Sequence, residues 1–296
     1  MTRGFKTICE ANDLGLEGYS DFKTVMEVPM SKFEGVADTL FIPLNGRIQV
    51  SKRFPEYFYD EKALSLESSL PGSTLQEQTS EFNILSSAAR YHNMDQIMQA
   101  FIDAHPACNI VILGCGLETA YDRMNRRQAR FYEMDLPEVI EGRRKVLGER
   151  EGETLIPGDL FDLRWAEGID RDKPTLIMVS GVFQYFREDR IIDFIHSLRK
   201  LFKAAELVFD AVNSTGIKYA EKYVKKTGNS SAMMYFYVDD CEAFAEKADC
   251  ALIEWRPFFG DARAMLKRKV GLYTRIAMRV TDKDARLKIL HLRLAK

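Results

Sequence analysis

Apolar and polar positions change period along this 296-residue chain, and the change divides it in two. Over residues 32–54 apolar side chains return every three or four positions (Phe33, Val36, Ala37, Leu40, Phe41, Leu44), the repeat of a helix with one buried face. Asp60 predicts the cap of a short helix over 61–67. Pro71-Gly72-Ser73 predicts a break. Residues 82–104 predict a long helix ended by His105-Pro106. Residues 1–30 mix turn residues with short apolar pieces and predict loose order.

From Cys108 onward, short apolar runs alternate with helical stretches. Strands are predicted at 108–113, 129–134, 154–157, 175–179, from 206 to 209, and at 251–255, with helices at 117–126, 137–147, 188–202 and 240–248. The Lys/Arg-rich stretch 263–279 reads as one amphipathic helix with a solvated face. Residues 286–294 alternate apolar and polar side chains, as in a half-exposed strand near a sheet edge. This rhythm predicts an α/β, Rossmann-like fold: a mostly parallel, seven-stranded sheet with helices on both faces. Residues 106–296 form the ligand-binding core, and residues 1–105 form an N-terminal helical section. In open α/β sheets ligands bind beyond the carboxyl ends of the strands, so that section is placed to act as a lid and to build a substrate pocket.

Charge and cysteine usage narrow the partners. The formal net charge is −2, so no basic surplus points to a nucleic acid. No apolar run approaches the roughly 20 residues of a membrane span, and residues 1–18 lack a signal core. Five cysteines form no CxxC pair and leave one over if paired, which suits reduced thiols in a cytoplasmic protein. The four histidines have no metal-ligand spacing, so no metal, nucleic-acid or membrane partner is expected.

Three strand ends carry candidate chemistry. The first is Val111-Ile112-Leu113-Gly114-Cys115-Gly116-Leu117-Glu118-Thr119, where two glycines let the backbone turn sharply and approach a ligand closely. The third glycine of the dinucleotide fingerprint is missing, and Glu118 at a helix start would repel a phosphate. A nucleoside without phosphate, such as that of S-adenosylmethionine, suits the loop better than a dinucleotide. The second is Glu133-Met134-Asp135-Leu136-Pro137. Asp135 stands 19 positions after Gly116, where a carboxylate accepts from a ribose diol. Its alternative role is a cap for the helix at Pro137, and Glu133 is the alternative ligand. The third is Pro157-Gly158-Asp159-Leu160, where Asp159 can accept from an adenine amino group beside the Leu160 N–H.

Taken in order, these stretches resemble the leucine carboxyl methyltransferase superfamily, in the bacterial branch that includes O-methyltransferases of polyketide synthesis. The resemblance runs from about residue 38 to the C-terminus. It covers Asp38-Thr39-Leu40-Phe41-Ile42-Pro43-Leu44, Ala89-Arg90-Tyr91 with Asp95, the Gly114 loop, and Tyr132 to Ile140. It continues through Gly158-Asp159-Leu160, Gly181-Val182-Phe183-Gln184-Tyr185-Phe186 and Leu207-Val208-Phe209-Asp210. It implies a class I methyltransferase that binds S-adenosyl-L-methionine and methylates a hydroxyl or carboxyl oxygen of a small molecule. It further implies that Arg90 pairs with the cofactor carboxylate, Gly114 with Cys115 and Gly116 forms the loop contact, Asp135 holds the ribose, and Asp159 and Leu160 hold the adenine. A two-pronged guanidinium suits the first of these tasks. Two positions depart from the family pattern: Ser180 replaces a glutamate near the cofactor amino group, and Ala120 replaces an arginine, for which Arg123 is the nearest substitute.

A sulfonium methyl is already activated, so alignment and exclusion of water should supply most of the gain. A carboxylate acceptor, with pKa about 4, needs no base. A phenol would be helped by one. Tyr185, His92 and Asn213 are the candidates, with Tyr185 the best placed. Met233-Met234-Tyr235-Phe236-Tyr237, with Tyr219 and Tyr223, suggests an aromatic acceptor pocket or ordinary core. Two other readings remain open at this point: a non-catalytic cofactor-binding protein, and a nicotinamide-dependent oxidoreductase on the same sheet.

Overall fold

A computed structural model describes residues 36–69, 80–220 and 233–294. The expectations for residues 1–30, for Pro71-Gly72-Ser73 and for Tyr223 lie outside the described residues. Three helices open the described chain: α1 (Val36–Arg53), α2 (Glu61–Ser65) and α3 (Glu81–Ala104). Asp60 caps α2 by accepting from the Ala63 N–H at 2.8 Å, and Ser80 caps α3 through Asn83. The apolar stripe of α1 buries Phe41, Leu44 and Ile48 against Leu117 and Leu147 of the core.

Seven strands follow: β1 (Asn109–Leu113), β2 (Arg130–Asp135), β3 (Glu153–Pro157), β4 (Thr175–Val179), β5 (Ala205–Val212), β6 (Ala251–Pro257) and β7 (Leu287–Arg293). They form one sheet in the order β3-β2-β1-β4-β5-β7-β6. The first five pair in parallel, and β7 runs antiparallel to both neighbours. Every residue of β1 and β4 is buried, as expected for central strands covered on both faces. Side chains of β1 alternate: Ile110 and Ile112 join the core under α3, while Val111 and Leu113 face the core under α6 (Glu188–Leu201). Helix α4 (Ala120–Arg123) follows β1 and α5 (Pro137–Leu147) follows β2.

Three expectations are corrected. The helix expected over 117–126 spans only Ala120–Arg123, because residues 114–119 are spent on the glycine turn. The single helix expected over 263–279 is two, α8 (Gly260–Met265) and α9 (Leu272–Lys283), parted before Gly271; α7 (Cys241–Lys247) precedes them. Strand β7 lies near the edge as expected, between β5 and the edge strand β6, but it is buried rather than half-exposed. Its polar positions look solvated in sequence but are buried with partners: Lys288 Nζ donates to the Val238 carbonyl at 2.8 Å, and His291 pairs with Glu206. Buried polar groups that find partners hide a strand's depth from its sequence.

Strand order reverses between β1 and β4. Chain leaving β1 passes toward β2, and chain leaving β4 passes toward β5. Their carboxyl-end loops therefore part and leave a crevice at that point.

Candidate active site

The crevice opens into a cavity of about 340 Å³, within the size range of small-molecule sites. Gly114, Cys115 and Gly116 line its floor. Gly114 adopts φ +70°, and a Cβ there would sit 2.4 Å from Val182 Cγ2 in the loop after β4. Only glycine allows both the left-handed turn and this approach of the two loops. The Gly116 N–H donates to Asp135 Oδ2 at 2.7 Å, and Leu136 N–H donates to Asp135 Oδ1 at 2.8 Å. Asp135 thus locks the β1 loop to the end of β2 while it lines the cavity. Burial pushes its pKa up to about 6 despite those two N–H groups. Leu136, not Asp135, occupies the cap position of α5. Cys115 is buried, and burial holds its thiol well above the usual range, so it is no nucleophile.

Asp159 and Leu160, after β3, line the same cavity. Asp159 Oδ1 accepts from Phe161 N–H at 2.8 Å and Trp165 Nε1 donates to the Leu160 carbonyl at 3.0 Å, so both turn residues are anchored.

From the other side α3 brings Arg90. Its Nη1 donates to Asp210 Oδ2 at 3.2 Å, and Asp210 Oδ1 accepts from Gly181 N–H at 2.6 Å. Burial works against the guanidinium charge, but Asp210 and Tyr91 outweigh it and keep Arg90 protonated. Gly181 has φ +72°, and a Cβ on it would lie 2.8 Å from Arg90 Nη1. Arg90 Nε and Ser180 Oγ are buried without a hydrogen-bond partner. Two such atoms in residues that line one cavity are what a polar ligand would satisfy.

An ion network fixes the rim. Arg123 grips Asp95 with two donors (Nε to Oδ2 2.7 Å, Nη2 to Oδ1 2.9 Å) and also reaches Asp60 and Glu118, each at 2.8 Å. Arg47 of α1 donates to Asp60 at 2.9 Å and to the Leu117 carbonyl at 2.6 Å. Burial would raise the pKa of Glu118 and Asp60, yet the two guanidiniums hold both below the usual range. Arg123 is spent on these carboxylates and does not line the cavity. On the far side of the loop, buried Arg143 donates to the carbonyls of Gly116 (3.1 Å) and Glu118 (2.6 Å). It also pairs with Glu133 and Glu153, so Glu133 points away from the cavity and is not the alternative to Asp135.

Tyr185 lines the cavity, and burial raises its phenol above the ordinary value. The other two candidate bases are elsewhere. His92 stacks on Tyr57 and bonds Asp261, and Asn213 serves a turn with Gly216 and Asp284. The aromatic patch also divides: Met234 reaches the cavity, Phe236 packs against Phe183, Phe209 and Phe244, and Tyr235, Tyr237 and Tyr219 are exposed. That segment is irregular rather than a strand, held by Tyr235 and Phe236 N–H groups on the Gln184 carbonyl. Of the residues singled out in the sequence, Arg90, Gly114, Cys115, Gly116, Asp135, Asp159, Leu160, Ser180 and Tyr185 line one cavity, and His92, Asn213, Glu133 and Arg123 do not. The roles of Asp210, Arg47 and Arg143 were not anticipated. For Asp210 the signal was an acid within an apolar strand, which calls for a buried partner.

A mostly parallel sheet with reversed order, a glycine loop after its first strand and acids after the next two is the architecture of the class I methyltransferase fold. A family model for leucine carboxyl methyltransferase matches residues 50–198, half of the chain, and the chain belongs to that family. The tetracenomycin polyketide synthesis O-methyltransferase TcmP of Streptomyces glaucescens is 25% identical over 150 residues, 50% of this chain and 55% of that protein. The chain spans about half the length of this curated relative. A Thermobifida fusca protein described as a methyltransferase superposes with a TM-score of 0.56 at 16% identity, over 91% of this chain and 99% of that one, a likeness of fold.

Proposed function

We propose that this protein uses S-adenosylmethionine as methyl donor and methylates an oxygen, hydroxyl or carboxyl, on a small acceptor that is flat and largely apolar. The observation that carries the reading is the make-up of the cavity. Arg90, Asp135 and Asp159 lie around it, and Phe161, Tyr185, Phe186 and Met234 give the same cavity an apolar, aromatic wall. In this reading Arg90 holds the cofactor carboxylate, Asp135 the ribose diol, and Asp159 with Leu160 the adenine. Ser180 offers its unpartnered hydroxyl near the amino group, where the family pattern has a charged glutamate. Bound there, the cofactor supplies an electrophilic methyl group.

The chain's own task is to place an acceptor oxygen and keep water out. Helix α1 contributes Leu40, Ile42 and Pro43 to the cavity wall, which fits residues 1–105 as a lid and acceptor-binding section over the 106–296 core. Tyr185 holds its proton at neutral pH, so it serves as a donor that orients the acceptor rather than as a base. That favours a carboxylate, which needs no deprotonation, over a phenol. The likeness to a polyketide synthesis O-methyltransferase supports a polyketide-like acceptor.

The test is transfer of an isotope-labelled methyl group from S-adenosylmethionine to a panel of polycyclic aromatic acids and phenols. Base-labile product marks a methyl ester and base-stable product an ether. Cofactor binding without transfer to any member would refute the small aromatic acceptor.

A further inference from the structure

The stretch that joins α8 to α9 is set apart by charge. Between residues 263 and 283 the chain carries seven Lys and Arg and a single acid, Asp282, a local net charge of +6 in a chain whose total is −2. Asp282 is turned inward, to Arg263 and the Phe259 N–H. Lys267, Arg268, Arg275, Arg279 and Lys283 are exposed.

Helix α9 is also amphipathic in an inverted sense. It buries Thr274, Met278 and Thr281, while Leu272 (63% exposed), Tyr273 (75%), Ile276 (55%) and Val280 (39%) face outward. Leu272, Ile276 and Val280 recur every four residues and form one stripe, with Arg275 and Arg279 along its flank. Met265, at the end of α8, adds a further exposed apolar side chain. Exposing these apolar side chains in water is unfavourable.

We infer that this α8–α9 face adsorbs to an anionic lipid surface. An apolar stripe flanked by Lys and Arg is the arrangement by which a short helix lies in a membrane interface, apolar side down and cationic heads on the lipid phosphates. A second copy of the chain is disfavoured as the occupant, because a two-fold contact would set the exposed Lys267, Arg268, Arg275 and Arg279 against the same cations of the partner copy. No described helix is long and apolar enough to cross a membrane, and the sequence alone suggested no membrane partner; adsorption needs no span. The remaining negative charge lies on the rest of the protein, and charges more than a Debye length away, about 8 Å in physiological salt, are screened.

Flotation of the full-length protein with phosphatidylcholine vesicles, with and without phosphatidylglycerol, tests the inference. Binding is expected only to the anionic vesicles and is expected to fall at high salt. Arg275→Gln with Arg279→Gln should weaken partitioning about thirtyfold, Ile276→Asp should abolish it, and Lys203→Gln on a distant surface should leave it unchanged. All these side chains are exposed, and thermal melting of each variant confirms its fold. Equal binding to neutral vesicles, no binding, or indifference to the Arg275/Arg279 pair would overturn the inference. Retention by polyglutamate together with wild-type flotation of Ile276→Asp would assign the face to an acidic macromolecule and overturn it equally.

Discussion

Asp210 holds Arg90 at the cavity: one carboxylate oxygen accepts from Arg90 Nη1 at 3.2 Å while the other accepts the Gly181 N–H at 2.6 Å. One side chain in β5 thereby fixes both a cation from α3 and the loop after β4. Asp210→Ala frees both. Because hydrogen bonds to charged groups contribute roughly 1.5–3 kcal/mol, S-adenosylmethionine should bind about tenfold or more weakly. Titration calorimetry checks this, and Asp210→Asn, which keeps an acceptor for Gly181, should lose less.

Asp135 carries a cost in stability that its place in the cavity explains. Its pKa rises from an ordinary 3.8 to about 6 in the folded protein. A carboxyl whose folded pKa is raised favours the folded state most when protonated, below the unfolded pKa, and that advantage is lost as pH rises to about 6. Asp135→Asn removes this titration, at the cost of one of the two backbone N–H bonds, and should flatten the pH dependence of the melting temperature of the cofactor-free protein between about 4 and 6. The same substitution should weaken cofactor binding about tenfold or more. In the wild type, affinity should fall as the pH drops below about 6, as Asp135 ceases to be a full acceptor.

Gly114 is the tightest point of the floor. Gly114→Ala meets Val182 Cγ2 at 2.4 Å in a left-handed backbone, so the loops after β1 and β4 must part and cofactor binding should be lost. Adding Val182→Ala removes the clash but not the strain, and should restore binding only in part. Full retention of binding by Gly114→Ala would show that the loop does not contact the ligand.

Arg123 stabilises the rim rather than the ligand. Arg123→Met leaves the buried Asp60 and Glu118 with one guanidinium, Arg47, and takes the partner from half-buried Asp95. Removing one partner of a buried pair costs about 3–5 kcal/mol, so the denaturation midpoint should drop sharply. Those carboxylates should then take up protons, and the loss should be smaller at acid pH than at pH 7.

The sheet was legible because buried parallel strands are short apolar runs between glycine turns and helices: β4 and α5 matched their predicted bounds residue for residue. The site was legible where a strand end carried an acid or glycine, as at Gly114, Asp135 and Asp159. What sequence concealed were partnerships across distance. Lys288 and His291 read as solvent-facing because their partners, the Val238 carbonyl and Glu206, are 50 and 85 residues away. Arg123 stood as the nearest substitute for the arginine missing at position 120, yet Asp60, 63 residues upstream, and Asp95, 28 residues upstream, claim it. His92 follows Arg90 by two positions on α3, and the helical turn sends it to Asp261 instead of the cavity.

The central claim is that Arg90, reaching in from α3, and Asp135, at the end of β2, grip the two ends of one cofactor. Calorimetric titration of S-adenosylmethionine into the wild type, Arg90→Met and Asp135→Asn tests it most directly. One-to-one binding by the wild type, weakened about tenfold or more by each substitution in a protein that still melts cooperatively, is the predicted result. Wild-type affinity in either folded variant would contradict it.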